Sequence, residues 1–202
     1  VRGMLVRLEA GWREVQQRRA ERDAWPAPVR ELIGQMAAAG VLLHANIKYG
    51  GALVLQIFGD GPVRLAVAEV QADLGFRATA KVDDKQPLPA EATLRALVDR
   101  HGRGRCAITL EPRHAADLHP GPAAQSYQGI VALHDGDKPL LDMAAVIEHY
   151  MRQSEQLQTR LLLAADERCA AGLLLQRLPT EGERNLAARG AAAAPGANED
   201  FE

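Results

Sequence analysis

Residues 28–50 read "PVRELIGQMAAAGVLLHANIKYG". Pro28 suits a first helical turn, where its missing N–H would have no partner anyway. Gly50 suits a stop. Before Lys48 only the first turn carries charge. From Leu32 to Ile47 nearly every residue is apolar or small, with Gln35, His44 and Asn46 the exceptions. A helix that is apolar all round has no face to give to water and must be buried on all sides. Gly34 and Gly40 each cost about 1 kcal/mol relative to Ala, tolerable where something packs closely. The stretch predicts a helix over about 28–48 held between two layers.

The flanking sequence supplies strands for those layers. Residues 1–8 alternate, with Met4, Val6 and Leu8 on one side and Leu5 and Arg7 on the other. A charged helix follows over 10–21, and "AWPAP" (24–28) breaks it, because each Pro forces its predecessor out of the helical region. After the central helix, Leu53, Leu55 and Ile57 alternate with Val54, Gln56 and Phe58. Gly59-Asp60-Gly61-Pro62 reads as a hairpin turn. The returning strand sets Val63, Leu65 and Val67 against Arg64, Ala66 and Ala68, and "FRATAKV" (76–82) alternates again. A short helix (90–102) and strands at 105–112 and 126–136 come next. Asp142 offers a helix N-cap, and Met143, Val146, Ile147 and Tyr150 fall on one helix face. Strands are expected at 159–165 and 171–178. From 180 to 202 the chain is rich in Ala, Gly and charge, and is expected to be a flexible tail or the start of an interdomain linker. Residues 1–179 form the expected core domain.

Composition excludes several function classes. Lys and Arg total 24 against 26 Asp and Glu. That balance argues against nucleic acid or an anionic membrane as partner. No apolar run reaches the ~18 residues of a membrane span, and the N-terminus has no signal-peptide pattern. Cys106 and Cys169 make neither a disulfide framework nor a zinc site. A reduced, cytoplasmic location is the expectation. No cofactor or metal is expected in this chain.

Few residues offer chemistry. "GDG" at 59–61 lacks the Lys-Ser/Thr end of a nucleotide loop. His44 reads as a hydrogen-bonded core residue, and both thiols as structural. His114, Asp117 and His119 share a Pro-rich loop, a weak metal pattern. Ser154 has Glu155 beside it and His149 five residues back, but this spacing supplies neither a base in reach nor an oxyanion site. "SEQ" (154–156) reads as a hinge from helix to strand, with Ser154 and Glu155 holding loose backbone groups. The expectation is a protein that is not an enzyme.

Several motifs resemble one family. "VRELIGQMAAAGVLLHANIKYGG", "KYGGALVLQIFGDGPVRLAVAEV", "YQGIVAL", "YMRQSEQLQTRLLLA" and "AGLLLQRLP" occur in the order found in the redox-regulated heat-shock protein 33 chaperones. The resemblance runs from Val1 to about Pro179. It implies an α+β fold of three layers, β/α/β, with two sheets enclosing the 28–48 helix. It also implies an ATP-independent holdase that binds unfolding proteins through exposed apolar surface, and a homodimer. The family pattern usually has Glu at Gln35 and Pro at Gln158. Its C-terminal module binds zinc through Cys-x-Cys and Cys-x-x-Cys pairs, a closed thiolate site. Neither Cys106 nor Cys169 matches those positions, so zinc is expected only on that module of a full-length relative. The chain is then expected to be the client-binding and dimerisation domain without its redox switch, hence constitutively active. The alternative is a dimerisation scaffold with no client binding of its own. The expected client surface is an outer sheet face of Val54, Phe58, Ala66, Ala68, Phe76 and Ala78. The structural hinge is expected to comprise Ser154, Glu155 and Gln156, with Tyr127, Gln128 and Gly129.

Overall fold

A computed structural model describes residues 1–47, 49–83, 85–88, 92–112 and 126–177. The chain runs β1 (Arg2–Leu8), α1 (Ala10–Ala20), α2 (Ala27–Asn46), β2 (Ala52–Phe58), β3 (Val63–Val70), β4 (Phe76–Val82), α3 (Leu94–Val98), β5 (Arg105–Glu111) and β6 (Tyr127–Ala132). A two-residue ribbon, β7 (His134–Asp135) and β8 (Lys138–Pro139), leads to α4 (Met143–Gln153), β9 (Thr159–Ala165) and β10 (Ala170–Gln176). The fold is α+β. The expected 180–202 tail and the 113–125 loop, with His114, Asp117 and His119, lie outside the described residues.

Two antiparallel sheets form. One has three strands in the order β1-β10-β9; the other has five, β4-β3-β2-β5-β6. α2 lies between them and touches β1, β9 and β10 on one side and β2, β3 and β4 on the other. Val29, Ile33, Met36, Ala37, Ala38 and Ala39 are fully buried, as an all-round apolar helix requires. Its two internal glycines mark the closest approaches. A Cβ on Gly34 would lie 2.4 Å from the Ala165 Cβ of the three-stranded sheet, and one on Gly40 2.9 Å from Val70 of the five-stranded sheet. Each glycine lets one sheet close on the helix.

α4 shares the middle layer. Met143, Val146, Ile147 and Tyr150 are buried, as their spacing predicts, and Asp142 caps the helix by accepting from the Ala145 amide at 2.8 Å. Glu148 covers the free edge of β9: it accepts the Leu161 amide at 2.8 Å and pairs with Arg160 at 2.9 Å. α1 is tied down by Trp12, fully buried, whose indole donates to the Asp166 carbonyl in the β9–β10 turn at 2.8 Å. α3 is shorter than the expected 90–102 helix. Thr93 caps it, and the chain leaves helical geometry at Asp99.

Candidate functional site

The register of each sheet decides what is turned outward. In the five-stranded sheet Leu55 pairs with Ala68 and Ile57 with Ala66, so these four share the face against α2. Phe76, Ala78 and Ala80 continue that inner face on β4. Ala66 and Ala68 are fully buried; Phe76 and Ala78 are half-buried. Only Val54 and Phe58 of the six expected surface residues point away from the helix, and Val54 is itself buried at 5% exposure. The expected surface therefore merged two faces. Alternation says which residues share a side within one strand, but not which side of the next strand matches it. Here the 59–62 turn pairs Phe58 with Leu65, and an irregularity between Val63 and Leu65 shifts the phase.

The true outward rows of this sheet are mixed. One runs Thr79, Val67, Gln56, Ala107, Ile130; another Lys81, Leu65, Phe58, Arg105, Ala132. A third carries the Glu69–Arg77 ion pair, Val54, Thr109 and Gln128. Phe58 and Ile130 stand out at 50% and 64% exposure, in different rows and two strands apart, with Arg105 and Ala107 of β5 between them.

The three-stranded sheet differs. Its inner row Met4–Leu174–Leu161 faces the core, and its central outward row is Leu5–Leu173–Leu162, apolar across all three strands. Leu5 is 78% exposed and Leu162 68%. Leu175 in the next row adds to the patch; Ala171 and Ala164 lie in the row on the other side. Arg7 and Arg160 flank it, held by Glu9 at 2.7 Å and Glu148 at 2.9 Å. Sequence reasoning missed this face, although it left a signal. "LLL" occurs at 161–163 and again at 173–175. A strand with no alternation has both faces apolar, and only one of them can meet α2.

The two polar motifs converge on Tyr150. Its ring packs on Gly129, where a Cβ would lie 2.6 Å from Cε2, and its hydroxyl donates to Glu155 Oε1 at 3.1 Å. Burial, then the Tyr127 phenol, then the Glu155 charge push the Tyr150 phenol well above its ordinary pKa. Ser154 caps α4 through its own amide, which donates to the Tyr150 carbonyl at 2.8 Å. Glu155 holds a side chain rather than the loose backbone group expected of it. Gln156 makes the reversal itself, at φ +54°. Gln128 lies apart, on the outward face, where its amide donates to Thr109 Oγ1 at 3.0 Å. The 154–156 segment thus joins α4, β6 and β9 as a structural corner.

The remaining polar residues serve the fold. His44 Nε2 meets the Gly51 carbonyl at 2.9 Å. Asp60 accepts from the amides of His101 and Arg103; burial pushes its carboxyl up, but these amides and the neighbouring charges outweigh it and hold it below the ordinary value. Cys106 is sealed in the core, and burial pushes its thiol up to about 12. Cys169 sits half-buried in the β9–β10 turn. Two such thiols do not fit a zinc-thiolate site. Among the described residues no three metal-ligating side chains converge, and no helix is long and apolar enough to cross a membrane.

Comparison with known proteins agrees with this architecture. The 33 kDa chaperonin of Chromobacterium violaceum is 44% identical over 182 residues, covering 89% of this chain and 54% of that protein. That of Shewanella woodyi is 41% identical over 185 residues, covering 92% and 57%. The chain spans a little over half the length of these relatives. The crystal structure of the 33 kDa chaperonin (heat shock protein 33 homolog) from Thermotoga maritima superposes with a TM-score of 0.63 at 15% identity, covering 96% of this chain and 63% of that one; it shares the fold. The family model described as Hsp33 protein matches residues 1–197, and the chain belongs to the Hsp33 family.

Proposed function

We propose that this chain is an ATP-independent holdase domain that captures unfolding proteins on the outward face of its three-stranded sheet. One observation carries the reading: the leucine row Leu5–Leu173–Leu162 crosses every strand of that sheet with its ends in water. A contiguous exposed apolar patch marks an interaction site. Burying apolar client surface there yields about 25 cal/mol per Å² without any demand on client sequence. The names of the relatives, 33 kDa chaperonin, support the same class of activity. The flanking Arg7 and Arg160, already neutralised by glutamates, keep the rim soluble. Nothing in this account requires catalysis, a metal or a nucleotide.

A second copy of the chain is the other occupant that an unshielded leucine row would admit, and a homodimer through it is the alternative reading. The test is light scattering of a heat-denatured client, run without oxidant, alongside sedimentation. The holdase reading expects the chain to suppress scattering, and Leu5→Glu with Leu162→Glu to abolish this at unchanged oligomeric state. Suppression that appears only after peroxide treatment contradicts constitutive activity. A dimer that the two substitutions dissociate, with no suppression by the parent chain, favours the scaffold.

A further inference from the structure

A groove of about 970 Å³ separates α1 from β4. One wall is a single helix face: Gly11, Glu14, Val15 and Arg18 recur at helical spacing along α1. The other is the consecutive run 74–79, residues of both alternating faces of β4 and the turn before it. Consecutive residues line a groove only when it follows the strand edge. Among the described residues β4 is the outermost strand of its sheet, and none of them pairs with this edge, which presents backbone N–H and C=O groups. The apolar lining is Val15, Trp25, Leu74, Phe76 and Ala78, and its cations are Arg18, Arg19, Arg22 and Arg77 against two glutamates, Glu14 and Glu21.

From this geometry we infer a second, separate binding site: the α1–β4 groove takes an extended segment of a partner polypeptide in which apolar and acidic residues alternate. The segment adds to β4 as a sixth strand through main-chain hydrogen bonds. Its apolar side chains lie toward Trp25 and Phe76, and its carboxylates meet the arginine rim. The ion pairs now holding that rim, Arg18–Glu14, Arg19–Asp23 at 3.8 Å and Arg77–Glu69, are each exposed on at least one partner and are weak enough to exchange. Two donors at this wall, Trp25 Nε1 and Arg19 Nε, are buried without acceptors among the described residues, and the Arg19 guanidinium lies 5.7 Å from the Trp25 ring centre. A buried unpaired donor is costly; an incoming carbonyl or carboxylate offers both an acceptor after a small side-chain shift.

The probe is a fluorescein-labelled, end-capped peptide of alternating Glu and Val, titrated against the whole chain by anisotropy. Binding is expected, with slowed amide exchange concentrated on β4. Arg18→Glu with Arg22→Glu weakens it by at least about tenfold, and a Lys-for-Glu peptide does not bind. Leu5→Glu with Leu162→Glu leaves it unchanged, which separates this site from the holdase face. Thermal melting verifies that the arginine variant folds; if it does not, Arg77→Glu serves in its place with the same expectation. Equal affinity in the folded charge-reversed variant, exchange protection outside β4, no binding, or preference for anionic vesicles or RNA over the peptide overturns the inference.

Discussion

Row for row, the two sheets turn different surfaces to water. Across β1-β10-β9 the central outward row is leucine at every position, whereas across β4-β3-β2-β5-β6 the middle row passes through Thr79 and Gln56 before reaching Ile130. The inner faces of both are apolar, because both meet α2. Inner faces are thus dictated by folding, and a difference between outer faces reports on something else. A sheet that needed only solubility would carry polar residues outward, and each of the three outward rows traced across the five-stranded sheet carries at least two.

The comparison breaks most visibly through substitution of the two faces in parallel. Each leucine buried against a client contributes about 1.5–3 kcal/mol. Leu5→Glu with Leu162→Glu should therefore reduce suppression of client scattering by an order of magnitude or more, while melting shifts by no more than about 0.5 kcal/mol, as for other exposed sites. Phe58→Gln with Ile130→Gln should reduce it only a few-fold, because those side chains stand in separate rows two strands apart. Equal losses would erase the distinction between the faces.

The inner faces give the next largest effect. An added methyl at Gly34 meets the Cβ of Ala165, which has no rotamer to yield, and overpacking costs about 1–3 kcal/mol. The gain of about 1 kcal/mol in helix propensity offsets part of this. Gly34→Ala should lower stability by up to about 2 kcal/mol in denaturant unfolding. Gly40→Ala, against the Val70 methyl at 2.9 Å, should come closer to neutral.

Asp60 sharpens the comparison on the side of the larger sheet, where its carboxylate holds the His101 and Arg103 amides against the β2–β3 turn. Its folded-state pKa is lowered, so its contribution is fully present above the ordinary carboxylate value and is lost as pH falls through the lowered one. Asp60→Asn should destabilise the chain at neutral pH, and the gap from the parent should close on acidification. A gap independent of pH would remove the charge from the explanation. The smallest effect belongs to the corner: Gln156 holds φ +54°, a conformation that costs a non-glycine residue about 1 kcal/mol. Gln156→Gly should raise stability by up to about 0.5–1 kcal/mol, read as a rise in melting temperature without change in client binding.

Much of the fold was legible in residues 28–50, since an all-round apolar helix with two glycines admits few settings other than a sandwich. The α4 face and its Asp142 cap were legible for the same reason: helical spacing is local. The outward surfaces were not. Ala66 and Ala68 look as exposed as Val54 until strand pairing is known, and pairing depends on the turn at 59–62 and the phase shift beside it. Leu5 and Leu162 were obscured because a leucine run reads as core from sequence. Half of such a run faces outward when, as among the described residues, the helices pack on one side of the sheet. Tyr150 opens the "YMRQSEQLQTRLLLA" motif, but helical spacing marks it only as core-facing, and nothing local shows that it joins "YQG" to "SEQ".

The most direct test places a photo-crosslinking side chain at Leu162 in one variant and at Ile130 in another, each incubated with the same unfolding client and irradiated. The account predicts abundant client adducts from position 162 and few from position 130. Comparable yields, or adducts confined to position 130, would contradict the claim that the unshielded leucine row is where this chain holds its clients.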